Sequence, residues 1–138
     1  MCKFTRLLLI LALQIASIFT AAAYAQPAIQ IHDTEKGKVR VEQMITGLDT
    51  PWAMAMLPGG KLIITEKDGR MLLVDPKVPD QKLEIDGLPR IRTVGQGGLL
   101  DVVLDPGFAE NNAIYFTFAD RNLFGGVGTA IASAKLES

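Results

Sequence analysis

The sequence predicts an all-β chain carried behind an export signal, and three observations support this. After residue 37 the apolar residues recur with the period of strands, in "KVRVEQM", "KLIITEK" and "NAIYFTFAD". The runs are separated by turn formers, the "PGG" of Pro58–Gly60 and the "DG" of Asp68–Gly69, which read as antiparallel hairpins. The plan also repeats: Trp52 and Leu99 each open a group of strands, 47 positions apart. That spacing suits a four-stranded propeller blade of about 40–50 residues, although a β-sandwich also spaces short strands evenly.

Residues 1–25 read as a secretory signal peptide. Lys3 and Arg6 form a basic start, "LLLILALQIASIF" an apolar stretch, and "AYA" at Ala23–Ala25 a cleavage site before Gln26. The apolar stretch is short for a membrane span, so no stable membrane anchor is expected. Cys2 is the only cysteine and departs with the signal, leaving a mature chain that folds without disulfides. Loss of Lys3 and Arg6 takes the formal net charge from −1 to −3. No basic patch points to nucleic acid. The expected location is periplasmic or secreted.

The mature chain then divides in two. Residues 26–45 form a polar N-terminal arm, in which the stretch Val39 to Met44 is a candidate closing strand. Residues 46–138 carry the repeated units. The first runs from "WAMAMLP" through "KLIITEK" to "RMLLVDP", so its strands should lie within Trp52 to Val74. The second runs from "GLLDVVLDP" to "GTAIASAKLE", within Gly98 to Leu136, with Ala130, Ala132, Ala134 and Leu136 on one face. Trp52 is expected in the core between sheets. No window outside the signal shows a helical stripe. Two units are fewer than the roughly three that stacked repeats need for stability, so the chain reads as the N-terminal portion of a longer protein.

Few residues carry chemistry. "GQGGLL" lacks the Lys-Ser/Thr ending of a phosphate loop and the third glycine of a dinucleotide fingerprint. "GGVG" at Gly125–Gly128 fails the same test and reads as a loop between strands. "DPGFAENN" has oxygen donors without EF-hand spacing, as turns commonly do. His32, the single histidine, lies in the polar arm and reads as a surface residue. Glu66 ends a strand, either as an exposed charge or as a carboxylate near a central channel. Gln96 is the notable polar residue. Gly95, Gly97 and Gly98 around it permit close backbone approach and unusual dihedrals, and its amide both donates and accepts, but the residues by themselves read as a hairpin turn with an exposed glutamine.

"GLDTPWAMAMLPGGKLIITEKDGRMLLVD", "GQGGLLDVVLDPGFAENNAIYFTFAD" and "GVGTAIASAKLE" together resemble the N-terminal part of the soluble pyrroloquinoline-quinone (PQQ)-dependent sugar dehydrogenases. This is the glucose/sorbosone dehydrogenase family, and the resemblance is nearest its aldose sugar dehydrogenase branch. The resemblance implies about two blades of a six-bladed β-propeller. It implies PQQ and calcium as cofactors, and an aldose sugar and an electron acceptor as partners. It implies that a histidine takes the anomeric hydroxyl proton while hydride passes to the quinone. Gln96 matches a family glutamine at the sugar and quinone site. His32 does not match the catalytic histidine, which the resemblance places in a later blade with the calcium ligands. No catalytic residue and no metal ligand is therefore expected in this chain, and the chain alone is expected to be inactive. The other readings are an exported, non-catalytic module binding glycans or a partner protein, and a piece of a different propeller enzyme such as a sugar-lactone hydrolase.

Overall fold

The computed structural model describes residues 29–121 and 125–137. The expected signal peptide, residues 1–25, lies outside the described residues. Among the described residues nine strands make three antiparallel sheets, with one short helical turn between two of the strands. β1 (Ile29–Thr34) and β2 (Gly37–Glu42) form a two-stranded hairpin, exposed along its whole length. β3 (Pro51–Met56), β4 (Leu62–Glu66), β5 (Met71–Val74) and β6 (Lys82–Glu84) form a four-stranded sheet in that order. β7 (Leu99–Leu104), β8 (Ala113–Arg121) and β9 (Val127–Lys135) form the third sheet, with helical turn α1 (Phe108–Asn111) between β7 and β8.

The expected turns lie where Pro58–Gly60 and Asp68–Gly69 put them. Gly60 N–H donates to Leu57 O at 2.8 Å, and Gly69 N–H to Glu66 O at 3.0 Å. Each larger sheet is a meander of consecutive strands. A sandwich with Greek-key connections would interleave strands between sheets, and none does so among the described residues. The two meanders stack with their first strands, β3 and β7, against one another. Between them lie Ile63 and Met71 from the first sheet and Leu99, Val102, Ile114, Phe116 and Phe118 from the second. Phe116 and Phe118 tilt against each other with ring centroids 5.8 Å apart. Burial of such side chains contributes about 1.5–3 kcal/mol each and is the main force joining the sheets. The Thr65 hydroxyl crosses the same boundary and donates to Leu100 O at 2.6 Å. A second apolar cluster of Leu62, Ile64, Leu72 and Val74 lies on the opposite face of the first sheet, under Ile45 and Leu48.

Four expectations change. The first unit extends past Val74, because Lys82–Glu84 adds a fourth strand of only three residues, too short to show a period. The polar arm contains a strand the sequence did not show, β1, which pairs with β2. Trp52 is 47% exposed and outside the inter-sheet core. A register irregularity between Pro51 and Ala53 sets the parity of β3, so Ala53 and Ala55 face inward while Trp52, Met54 and Met56 face out. β9 begins at Val127, so the second half of "GGVG" is strand. Ala130, Ala132 and Ala134 share one face of β9 as expected, opposite Phe118, Phe116 and Ile114, with Ala134 exposed near the strand's end.

"DPGFAENN" folds as a closed turn. Asp105 Oδ1 accepts from Gly107 N–H at 2.8 Å and Asn111 Nδ2 at 2.9 Å, and Oδ2 accepts from Tyr115 Oη at 2.8 Å. The Asn111 amide, then Gly107 N–H and Tyr115 Oη, hold the Asp105 carboxyl below its usual 3.8. The same bond raises the Tyr115 phenol. A depressed carboxyl stabilises the fold above its unfolded pKa, and that contribution fades as pH falls through the lowered folded value. Thermal melts across the acid range should show the native chain losing stability more steeply than Asp105→Asn. Parallel profiles would contradict this role for the turn.

Candidate functional site

The "GQGG" loop lies between β6 and β7, at the end of the stack where β4 turns into β5. Its glycines have separate tasks. Gly95 adopts φ +60°, a left-handed conformation that glycine enters without cost to a side chain. Gly98 is pressed against the β4–β5 turn: a Cβ there would meet Lys67 O and the Lys67 side chain, far inside contact distance. At Gly97 a Cβ would lie 2.9 Å from the Ala119 Cβ. The backbone thus approaches its neighbours closely at Gly97 and Gly98 and takes a positive φ at Gly95.

The loop is tied down on both sides. Leu99 N–H donates to Lys67 O at 3.1 Å, and Lys67 Nζ donates to Gly95 O at 2.7 Å. On the other side Ala119 N–H donates to Gly98 O at 2.8 Å, and Arg92 N–H donates to Ala119 O at 2.9 Å. Gln96 rides on this clamped loop. It is exposed and outside both apolar clusters, and its amide makes no hydrogen bond to another described residue. The fixed backbone leaves the Gln96 amide open to a polar partner. The Lys67 clamp is not legible as a motif. Its one sequence signal is a lysine directly after the strand end at Glu66.

Glu66 is not an exposed charge. Its side chain is fully buried. Oε1 accepts from Asp49 N–H at 2.6 Å, and Oε2 lies 2.6 Å from Arg70 Nη2. Lys67 N–H donates to Thr50 O at 3.1 Å in the same corner. The carboxylate therefore fastens the 49–50 segment to the 66–70 turn, which in turn carries the loop of Gln96. His32 is exposed on β1, 3.3 Å from Gln30 Oε1, in the hairpin apart from this loop. No three His, Cys, Asp or Glu side chains converge on a metal position among the described residues.

Two stacked antiparallel meanders joined by a clamped polar loop define a repeat-sheet scaffold. The comparisons give that scaffold a family. Residues 48–138 match the family model described as Glucose / Sorbosone dehydrogenase, and the chain belongs to that family. It is 35% identical over 98 residues to the aldose sugar dehydrogenase YliI of Escherichia coli strain K12, covering 71% of this chain and 26% of that protein. The soluble aldose sugar dehydrogenase from Escherichia coli in its apo form superposes with a TM-score of 0.64 at 28% identity, over 80% of this chain and 29% of that one. The PQQ-bound aldose sugar dehydrogenase from Streptomyces coelicolor superposes with a TM-score of 0.59 at 27% identity, over 79% and 28%. The chain thus spans about a quarter of the length of the curated relatives it matches. No helix among the described residues is long and apolar enough to cross a membrane.

Proposed function

We propose that this chain forms the first two blades of a six-bladed propeller in a PQQ-dependent aldose sugar dehydrogenase, and that Gln96 borders its sugar and quinone site. One observation carries the reading above all: the "GQGG" loop is clamped by Lys67 and Ala119 while the Gln96 amide stays exposed and unengaged. The family match and the PQQ-bound relative support the reaction class.

The residues present fit the cofactor in part. Gln96 supplies one amide that can donate to a quinone carbonyl or a sugar hydroxyl and accept from a hydroxyl. PQQ, when bound, supplies the two-electron acceptor. Lys67 keeps the loop at a fixed height, and the Glu66–Arg70 pair keeps the Lys67 turn in place. Within this reading the base for the anomeric hydroxyl, the calcium ligands and the basic cofactor contacts belong to the remainder of the enzyme. The chain alone is then inactive, and export delivers it to the periplasm or medium with residues 1–25 removed.

Expression from the intact sequence in a bacterium tests both parts. Mass spectrometry should find an exported form beginning at Gln26. Supplied with PQQ, calcium and an aldose, that form should reduce no redox dye. Robust turnover would place the chemistry within these residues, and a retained apolar segment would make the protein membrane-anchored.

A further inference from the structure

The two larger sheets repeat one hydrogen-bonding pattern at the end that carries Gln96. Ala53 N–H donates to Thr65 Oγ1 at 3.1 Å, and Asp101 N–H to Thr117 Oγ1 at 3.0 Å. Two positions after each threonine, Lys67 N–H donates to Thr50 O at 3.1 Å, and Ala119 N–H to Gly98 O at 2.8 Å. Thr50 is therefore the counterpart of Gly98, and each directly precedes the first strand of its sheet. Lys67 joins the two places. Its carbonyl accepts from Leu99 N–H at 3.1 Å, and its Nζ donates to Gly95 O at 2.7 Å. A single residue thus separates the segment of Asp49 and Thr50 from the loop of Gln96.

Thr50 has φ +47°, a left-handed conformation that a β-branched residue enters only at a cost. The other non-glycine residue with positive φ among the described residues is Asn112, a type that tolerates it, at the close of α1. Glycine would occupy position 50 without strain. The threonine is held there from three directions. Lys67 N–H fixes its carbonyl, the buried Glu66 carboxylate accepts from Asp49 N–H at 2.6 Å, and Pro51 pairs with Glu66 in the sheet. Strain over-determined in this way clusters at ligand-binding sites. Both side chains are exposed. Thr50 Oγ1 donates to Asp49 Oδ1 at 3.1 Å, and Asp49 Oδ2 has no partner among the described residues. The pair therefore presents a carboxylate oxygen and a hydroxyl oxygen, each able to accept from a sugar hydroxyl.

We infer that Asp49 and Thr50 form a second sugar contact beside Gln96, a role that rests on the placing of Gln96 at the sugar and quinone site. Asp49 Oδ2 accepts from a hydroxyl of the aldose remote from the anomeric carbon, and Thr50 Oγ1 accepts from that hydroxyl or its neighbour. Neither group touches the reacting carbon. Their contacts are equally strong before and during the reaction, so they govern KM and the choice of sugar rather than kcat.

The test uses an enzyme that joins this chain to the remaining blades of a family member, loaded with PQQ and calcium, with D-glucose as substrate. Asp49→Ala and Thr50→Val should each raise KM about two- to tenfold, the loss of one hydrogen bond, with kcat little changed. The effect should belong to a particular hydroxyl. Among the monodeoxy-D-glucoses, Asp49→Ala should lose its effect on the one that lacks the hydroxyl it contacts. Equal rises for glucose and every monodeoxyglucose would overturn the contact. Thr50→Gly relieves the left-handed strain and removes the hydroxyl. Its melting temperature should rise by about 1–3 °C while its KM rises as in Thr50→Val. A lower melting temperature, or a parental KM in this variant, would contradict the inference. Should Asp49→Ala misfold, Asp49→Asn keeps the shape without the charge and should show the same dependence on one hydroxyl. Gln96→Ala separates the two readings. Silence there defeats the placing of Gln96 itself, whereas a loss there with silent Asp49→Ala and Thr50→Val defeats the second contact alone.

Discussion

Gly98→Ala should be the most damaging single-methyl change in the chain. The added Cβ would stand 2.1 Å from Lys67 O, a backbone atom that also accepts the Leu99 N–H. Neither side can yield cheaply. Gly98 is itself bonded to Ala119, and Lys67 is held through Thr50. Overpacking of this kind costs typically 1–3 kcal/mol, and contact with backbone puts this case at about 3 kcal/mol. For a domain of this size that is a fall in Tm of roughly 10–20 °C. Gly95→Ala should cost only about 1 kcal/mol, because its Cβ meets nothing within 4 Å and only the positive φ opposes it. Thermal denaturation of the two variants separates close approach from conformational freedom. Equal losses would show that the loop does not press on the Lys67 turn.

Glu66→Ala should have the next largest effect. It removes a fully buried carboxylate, leaving Asp49 N–H without its acceptor and Arg70 without its 2.6 Å partner. Breaking a fully buried pair costs about 3–5 kcal/mol. Arg70 is 40% exposed, so water recovers part of that, and about 2–3 kcal/mol remains. Arg70→Ala should cost a similar amount, since it leaves the fully buried Glu66 carboxylate without a counter-ion and with only the Asp49 N–H as donor. Urea titration of both variants measures the two losses. A Glu66→Ala chain as stable as the parent would return Glu66 to being a surface charge.

Most of the sheet framework was readable because its signals are local. Pro58–Gly60 and Asp68–Gly69 mark turns by their own chemistry, and "NAIYFTFAD" is rich in the aromatic and β-branched residues that strands favour. Trp52 shows the limit. Its size suggests a core residue, but the irregularity between Pro51 and Ala53 sets the parity of β3, and no composition rule locates that slip. β6 was hidden for a different reason: three residues, Lys82–Glu84, pair with β5 without any period to detect. α1 is one turn inside "DPGFAENN", shorter than a helical stripe. At the site, the need for glycine at 95, 97 and 98 followed from backbone sterics and could be read in advance. The clamp from Lys67 could not, because it joins residues 28 positions apart. Burial of Glu66 likewise depends on Asp49 and Arg70 arriving from two separate turns.

The reading of Gln96 as a ligand contact is tested most directly by Gln96→Ala in an enzyme that joins this chain to the remaining blades of a family member, loaded with PQQ and calcium. Gln96 is exposed and unengaged, so its truncation should leave the melting temperature unchanged. Loss of one hydrogen bond to a bound polar group costs about 0.5–1.5 kcal/mol, or more where the bond tightens in the transition state. Aldose-dependent dye reduction should therefore fall about two- to tenfold in kcat/KM, with the fold intact. Unchanged kinetics would reduce "GQGG" to a clamped turn and contradict the placing of Gln96 at the sugar and quinone site.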